Sequence, residues 1–415
     1  MFLYIIYFLF TPLIWLLLLI SSIFQLKIRK NYFSFYNKLR IVKRYLHNSH
    51  QKKKILLFHA ASAGEYEQLK PLLRLINKDE YCIVQSFTSP TIYDKEKKSP
   101  LFDIACYHPF DFPWMSLYFF LSIKPHKYII TRHDIWPGHI VIANILKISI
   151  YYINANIHKN SIWLQWYCKP LSQYIFNQLK KIIVPSKEIA QNLYILGIKK
   201  ENIIICNDSR FDQVYYRKDK NYNSKLLSTL SSNNYTTIFG SIDSQDEIII
   251  FESLKMLYPL GTVDLINQNK RLIFVPHETD PKTINRLSEK LDNLSFKYYK
   301  YSEYLLYPKN HHVMIIDSVG LLADLYRYAN KAYVGGGFSR GVHSVIEPAI
   351  YNCSIGYGPN IEMLDEAKFL LNNQYSKIIS NVHDMNTFLS SEDSQTDYNL
   401  FTQHSSQTIL SHILS

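Results

Sequence analysis

The sequence predicts an α/β protein of two successive domains, each a parallel sheet covered by helices, behind a single apolar N-terminal helix. Three observations carry that prediction. Residues 1–26 contain no charged side chain. From Ile55 onward, short apolar runs alternate with stretches long enough for helices, the pattern of parallel sheets, whose ligands bind beyond the carboxyl ends of the strands. The glycines are also concentrated. The chain has 12 in 415 residues, well below the usual ~7%, yet Gly335, Gly336, Gly337, Gly341, Gly356 and Gly358 all fall within residues 332–359.

The apolar stretch FLYIIYFLFTPLIWLLLLISSIF matches the ~20 residues needed to cross a bilayer, so residues 1–26 are expected to form a membrane anchor. A cleaved signal peptide would need positive charge ahead of the apolar run and small residues at a cleavage site, and neither is there. Pro12 leaves room for a kinked or monotopic helix. Residues 27–54 read as a basic membrane-proximal segment: Lys27, Arg29, Lys30, Lys38, Arg40, Lys43, Arg44, Lys52, Lys53 and Lys54, with no acidic residue before Glu65. By the positive-inside rule the body lies on the cytoplasmic side. Subtracting these ten charges from the net +12 leaves +2 on residues 65–415. The basic character therefore points to anionic membrane lipids and not to nucleic acid. Cys82, Cys106, Cys168, Cys206 and Cys353 are scattered with no C-x-x-C pair, which fits reduced packing residues and gives no disulfide framework or zinc site.

The first α/β domain is expected over residues 55–217. Ile55 to Phe58 reads as a buried strand, and HAASAGE turns it into a helix beginning near Tyr66. Ser62 and Glu65 fit the capping box S-x-x-E, so spacing alone assigns Glu65 to a helix cap. Further strands are expected at Cys82–Phe87, Lys127–Thr131, Tyr151–Ala155, 182–184 and 203–206. Arg132-His133-Asp134 and Asn207-Asp208-Ser209-Arg210-Phe211-Asp212 lie at strand ends, where Arg210 offers a two-pronged donor to a carboxylate or phosphate, or pairs with Asp212 on the surface.

Residues 218–234, rich in Lys, Asn and Ser, read as a linker, and residues 235–415 as the second α/β domain. Its strand ends carry Ser241-Ile242-Asp243, Pro276-His277 and Ser318-Val319-Gly320, the last ahead of a helix expected over Leu321 to Tyr328. The series closes on AYVGGGFSRGVHSVIEPA. There a strand breaks into three glycines, and a helix is expected from His343. Glycine permits close ligand approach, and a helix N-terminus presents unpaired N–H groups to phosphate. Glu347 is placed to accept hydrogen bonds from ribose hydroxyls. Neither G-x-G-x-x-G nor G-x-x-x-x-G-K-[ST] occurs, which argues against dinucleotide enzymes and P-loop NTPases.

The run VGGGFSRGVHSVIEPA followed by GYGPN resembles the donor-site signature of the 3-deoxy-D-manno-octulosonic acid (Kdo) transferases of lipopolysaccharide synthesis. The turn ending in Gly64-Glu65 and the segment around Arg210 resemble that family too. Two positions depart from its pattern: Ser344 stands for Asn, and Arg132 for the first acid of a Glu-x-Glu segment of which Asp134 keeps the second. The resemblance implies a GT-B fold, two Rossmann-like domains facing across a cleft. It also implies an inverting, metal-independent glycosyltransferase with no cofactor, moving Kdo from CMP-Kdo to a lipid A precursor at the inner (cytoplasmic) membrane. On this reading Glu65 is the catalytic base, with Arg210 and Asp134 as further catalytic residues. CMP is bound by Pro276, His277, Ser318, Val319, Gly320, Gly335, Gly336, Gly337, Ser344, Val345, Ile346 and Glu347, and Glu247 is the counterpart of a conserved-pattern Glu near the Ser241 turn. Two alternatives share the fold: a transferase using a UDP-sugar on another membrane lipid, and a catalytically silent membrane-bound scaffold.

Overall fold

A computed structural model describes residues 2–49, 53–219, 234–304, 311–362, 364–391 and 404–415. Most of the predicted linker, residues 220–233, lies outside this set. The chain forms two compact units, Met1–Gln213 with Thr402–Ser415, and Val214–Phe401.

The first unit is built on a seven-stranded, all-parallel sheet: β1 (Lys54–Ala60), β2 (Tyr81–Phe87), β3 (Ile104–Tyr107), β4 (Lys127–Thr131), β5 (Ser149–Ile153), β6 (Lys181–Val184) and β7 (Ile203–Ile205), in the order β3-β2-β1-β4-β5-β6-β7. The strands are near-continuous apolar runs because both faces are covered; in β1, for example, Leu56, Leu57 and Phe58 are all buried. Strand order reverses between β1 and β4, which pair in register from Leu56↔Lys127 to His59↔Ile130. Such a reversal opens a crevice at the carboxyl ends of the two central strands.

The second unit repeats the plan with β8 (Tyr235–Ile242), β9 (Lys270–Pro276), β10 (Tyr299–Lys300), β11 (Val313–Ile315), β12 (Lys331–Val334), β13 (Ser354–Tyr357) and β14 (Ser376–Ile378), in the order β10-β11-β9-β8-β12-β13-β14. Here the reversal falls between β8 and β12, with Val334 opposite Gly240. The glycine-rich run therefore leaves the sheet at its switch point.

Three predicted boundaries change. The basic membrane-proximal segment is not a separate element of the chain: Leu26–Ser49 is a helix (α2) that follows the apolar helix α1 (Phe2–Phe24) and packs on the first unit. Phe35, Leu39, Val42 and Leu46, at spacings of four, three and four, are buried in the core of the first unit. Each such burial is worth roughly 1.5–3 kcal/mol, so the apolar stripe outweighs the charge in deciding where this helix goes. The C-terminal helix Ser405–Leu414 belongs to the first unit and not to the second, because Ile409, Leu410 and Ile413 enter the same core. Asp212 fixes its start by accepting hydrogen bonds from the backbone N–H groups of His404 (3.0 Å) and Ser406 (2.6 Å). The first unit also ends at Gln213 and not at residue 217.

Candidate active site

In the first unit, β1 ends in a turn that leads into α3 (Ala63–Leu75), three residues earlier than the pattern predicts. The capping box is complete. Ser62 Oγ accepts from Glu65 N–H (3.3 Å), and Glu65 Oε2 accepts from the N–H groups of Ser62 (3.1 Å) and Ala61 (2.6 Å). Glu65 is thus a helix cap, but an unusual one: its side chain is buried. Burial pushes its carboxyl above the ordinary glutamate range; the positive field of His59 lowers it, Asp134 raises it, and the two N–H bonds lower it, with burial prevailing. A carboxylate displaced towards neutrality at a strand-end crevice has the character of a general base.

Asp134 follows β4 across the same switch point. Its Oδ2 lies 2.5 Å from His59 Nε2 and accepts from Thr88 Oγ1 (3.2 Å), while Oδ1 accepts from Trp136 Nε1 (2.6 Å). Burial opposes its ionisation, yet the bonds from His59 and Trp136 win and hold the carboxyl below its ordinary range. Glu65 and Asp134, on either side of the reversal, are therefore displaced in opposite directions: Asp134 stays ionised, while Glu65 takes up a proton more readily.

His59, fully buried, is the centre of a polar cluster that the strand pattern does not signal, since LLFHA reads as an apolar run. Its Nδ1 meets Ser86 Oγ (3.0 Å), and its ring lies 3.7 Å from that of His108. His108 in turn meets Tyr128 OH (2.8 Å) and stands edge-on to His139 (4.5 Å). Burial first, then the neighbouring His59 and His139, drives His108 far below the ordinary histidine range, so it stays neutral.

Arg210 opens the helix Arg210–Asp219 and pairs with Asp208, not with Asp212: Nε donates to Asp208 Oδ2 (2.9 Å) and its own N–H to Oδ1 (2.8 Å). Gln68 joins this pair to the Glu65 helix, donating to Asp208 Oδ2 (3.0 Å) while accepting from Thr131 Oγ1 (3.3 Å). Gln68 lies three residues after Glu65, hence on the same helix face; that spacing is its only sequence signal. Arg132, at the end of β4, adopts a left-handed backbone with φ 62°. Its Nε meets His133 Nε2 (3.1 Å), and desolvation beside Arg132, His158 and Arg210 lowers the pKa of His133, whose ring still reaches the surface.

In the second unit the three glycines are demanded by space. A Cβ on Gly335 would stand 2.5 Å from Ser241 O, and one on Gly337 would stand 2.5 Å from Gly358 Cα; Gly336 has φ 90°. Asn360 N–H closes on Gly337 O (3.0 Å), so the GYGPN run is packed on the glycine turn. Asp246, fully buried, organises this turn: it accepts from Gly336 N–H (2.8 Å), Tyr333 OH (2.8 Å) and Asp243 N–H (2.9 Å). The sequence points instead to its neighbour Glu247, which is turned away into ion pairs with Arg286 (2.8 Å) and Lys290 (2.9 Å). The two are one residue apart on a helix, so they face in directions about 100° apart.

His277, exposed after β9, stacks on His343 with ring centroids 4.4 Å apart, and its Nδ1 meets Ser241 Oγ (3.3 Å). Ser344 Oγ donates to Glu347 Oε2 (2.5 Å). Pro276, Val345 and Ile346, which the sequence places at the donor, are buried, and neither Val345 nor Ile346 presents a side chain or an open backbone group to a ligand. Ser318, Val319 and Gly320 form an exposed turn, with Val319 80% exposed and Gly320 at φ 87°. The helices expected behind these turns are shorter than predicted. Leu322–Leu325 is four residues, followed by a 3-10 turn, and Ile346–Ile350 is five. A helix dipole contributes little over so few residues, so an anion at this place would have to be met by N–H groups of the turns themselves. Among the described residues no group of three His, Cys, Asp or Glu side chains would hold a metal ion.

Comparison with known proteins bears on both units. Residues 34–213 match the family model described as 3-deoxy-D-manno-octulosonic-acid transferase (kdotransferase). The chain is 24% identical over 318 residues to the 3-deoxy-D-manno-octulosonic acid transferase of Chlamydia muridarum, covering 74% of this chain and 70% of that protein. To the Aquifex aeolicus protein of the same name it is 26% identical over 326 residues, covering 77% and 80%. The chain is similar to the Kdo transferases over most of its length. The matched region contains the Glu65 turn, Asp134 and Arg210. In fold, the structure is similar to a UDP-GlcNAc 2-epimerase from Methanocaldococcus jannaschii, with a TM-score of 0.61, 16% identity, and coverage of 87% of this chain and 99% of that one. The chain thus has two parallel-sheet units of the GT-B type, and its similarity to these transferases marks it as a glycosyltransferase.

Proposed function

We propose that this protein transfers Kdo from CMP-Kdo to the glucosamine disaccharide of a lipid A precursor, on the cytoplasmic face of the inner membrane. The observation that carries the reading is the buried Glu65 carboxyl, pushed towards neutrality at the switch point of the unit that matches the family. In the reaction the acceptor hydroxyl oxygen forms a bond to the anomeric carbon of Kdo from the face opposite the leaving group. Its proton passes to Glu65, and the bond to the CMP phosphate breaks with the electron pair leaving on the phosphate. The anomeric centre is inverted, and no metal is required. Asp134, held ionised by His59 and Trp136, keeps a fixed negative charge beside the base and so sustains its affinity for the proton. Arg210, oriented by Asp208 and Gln68, supplies positive charge.

The second unit holds the donor. The N–H groups of the turn at Ser318 to Gly320 and of Gly337 receive the phosphate, as oriented dipoles do for charge that develops during a reaction, while those of Gly335 and Gly336 are held by Gly240 O and Asp246. His277 and His343 present a stacked aromatic pair to the nucleotide. Burial and the neighbouring His277 lower the pKa of His343. Glu347, fixed by Ser344, binds the ribose hydroxyls. Incubating the purified protein with labelled CMP-Kdo or with UDP-sugars, each with a lipid A precursor, tests the reading: transfer from CMP-Kdo alone supports it, and transfer from a UDP-sugar, or none, refutes it.

A further inference from the structure

The N-terminal helix α1 is long and apolar enough to cross a membrane, but its packing is that of a helix lying on the protein. Tyr7, Thr11, Trp15, Leu18 and Ser22 form one stripe with helical spacing, and all are buried or half-buried. Tyr7 OH donates to Asp111 Oδ2 (2.6 Å), and Trp15 Nε1 donates to Tyr32 OH of α2 (2.8 Å). Trp15 also stands edge-on to Trp114, at 6.5 Å, in the helix Pro113–Ile123. From Tyr7 to Ser22 this contact runs for about 22 Å at 1.5 Å per residue.

A helix spanning the ~30 Å hydrocarbon core must meet lipid or buried protein along that length. The protein against α1 is unsuited to such depth. Asp111, the partner of Tyr7, also accepts from the N–H groups of Gly138 (3.0 Å) and His139 (2.8 Å), so it caps the helix Pro137–Ile145 beside the buried histidines. Charged and capped groups of this kind are costly in hydrocarbon. Meanwhile the opposite face of α1 is bare: Leu9, Leu13, Leu16, Leu17, Ile20 and Phe24 are each half or more exposed, or nearly so. Trp114, Leu117, Tyr118 and Leu121, on one face of the helix Pro113–Ile123, extend that surface past Trp15. Along α2, exposed Arg29, Arg40, Lys43 and Arg44 alternate with exposed Phe33, Tyr36 and Ile41. Apolar side chains edged by basic and aromatic ones match the boundary of an anionic leaflet.

We propose that α1 does not span the bilayer but lies in its plane, embedded with the helix Pro113–Ile123 in one leaflet of an anionic membrane. The proposal rests on the membrane reading above and refines it. Both ends of α1 then stand on the side of the protein body, and α1 acts as a flat keel joined to the first unit.

Depth measurement on the full chain tests this. Cysteines placed singly at Leu9, Leu13, Leu16, Ile20 and Phe24, with Cys168 and Cys206 replaced by Ser, are labelled with nitroxide and bound to vesicles of phosphatidylglycerol and phosphatidylethanolamine. All five positions are exposed, so the labels leave the packed stripe intact. Power saturation with oxygen and a water-soluble nickel chelate should report one shallow depth at all five, about 5–10 Å into the boundary, and Thr11→Cys should be shielded from both reagents. A profile deepest near Leu13 to Leu16 and shallow at both ends would show a spanning helix and overturn the proposal. Dipolar broadening between like positions would show that a second copy covers the face, and overturns it equally. Failure to bind vesicles, with transfer intact on a detergent-dispersed acceptor, would remove the membrane surface altogether while leaving the transferase reading standing.

Discussion

Each unit is a seven-stranded parallel sheet whose order reverses beside its first strand, though the second inserts an extra strand on one side of it, and the two use the switch point in different ways. In the first, titratable side chains gather at the ends of β1 and β4: the buried His59 and Glu65 and the half-buried Asp134, the two carboxyls displaced in opposite directions. In the second, the turn after β12, across the switch point from β8, is made of three glycines with no room for side chains, and the N–H groups of Gly335 and Gly336 are held by Gly240 O and Asp246. On the proposed reading, a switch point crowded with titratable side chains serves proton transfer in the first unit, and one cleared of side chains serves the donor in the second.

The largest effect expected from breaking this contrast is in the second unit. Asp246→Ala leaves the Gly336 and Asp243 N–H groups and Tyr333 OH without their acceptor. At about 1–3 kcal/mol for each buried unpaired group, the glycine turn should unravel, CMP binding should be lost in calorimetric titration, and melting should fall by many degrees. Gly337→Ala should act next, through the clash with Gly358. Overpacking of this kind costs roughly 1–3 kcal/mol, with CMP affinity falling while the first unit's melting is unchanged. Smaller still is Glu347→Ala, which removes one accepting side chain and should weaken CMP about tenfold, on the order of 1.4 kcal/mol, with no change in melting. Unchanged affinity in a folded Glu347→Ala protein would take the ribose role from that residue.

The pH dependence sharpens the other half. The Glu65 carboxyl is raised in the folded protein, so folding binds its proton more tightly; the stability this contributes is present at low pH and is lost as pH rises through the folded value. As a base Glu65 works only when ionised. The acid limb of kcat/KM should therefore lie above the ordinary glutamate range, opposite in direction to the stability term. A limb at or below that range would contradict the assignment.

Much of this was legible in the residues. Alternating apolar runs announce both sheets, and the crowding of glycine announces the donor turn, because a position without room for Cβ admits no other residue. What escaped depends on contacts remote in sequence. The ten basic residues after α1 mask the stripe Phe35, Leu39, Val42 and Leu46, and only the core they enter makes α2 part of the first unit. The last helix carries no mark of its return to that unit. Asp246 and Glu247 are equivalent on paper, and one helical step decides which faces the glycines. His59 sits in an apolar strand, and its partners Ser86 and Asp134 lie 27 and 75 residues away.

The central claim is that Glu65 is a base and not only the cap that its bonds to Ala61 and Ser62 make it. Glu65→Gln keeps a capping-box residue and removes a buried carboxyl. The decisive measurement is its initial rate of transfer from CMP-Kdo, taken with melting and CMP titration on the same sample. The account predicts turnover lower by a factor on the order of 10²–10⁴, with melting at neutral pH no lower than the parent's and CMP affinity unchanged. Near-normal turnover in a folded, CMP-binding Glu65→Gln protein would leave Glu65 a helix cap and contradict the account.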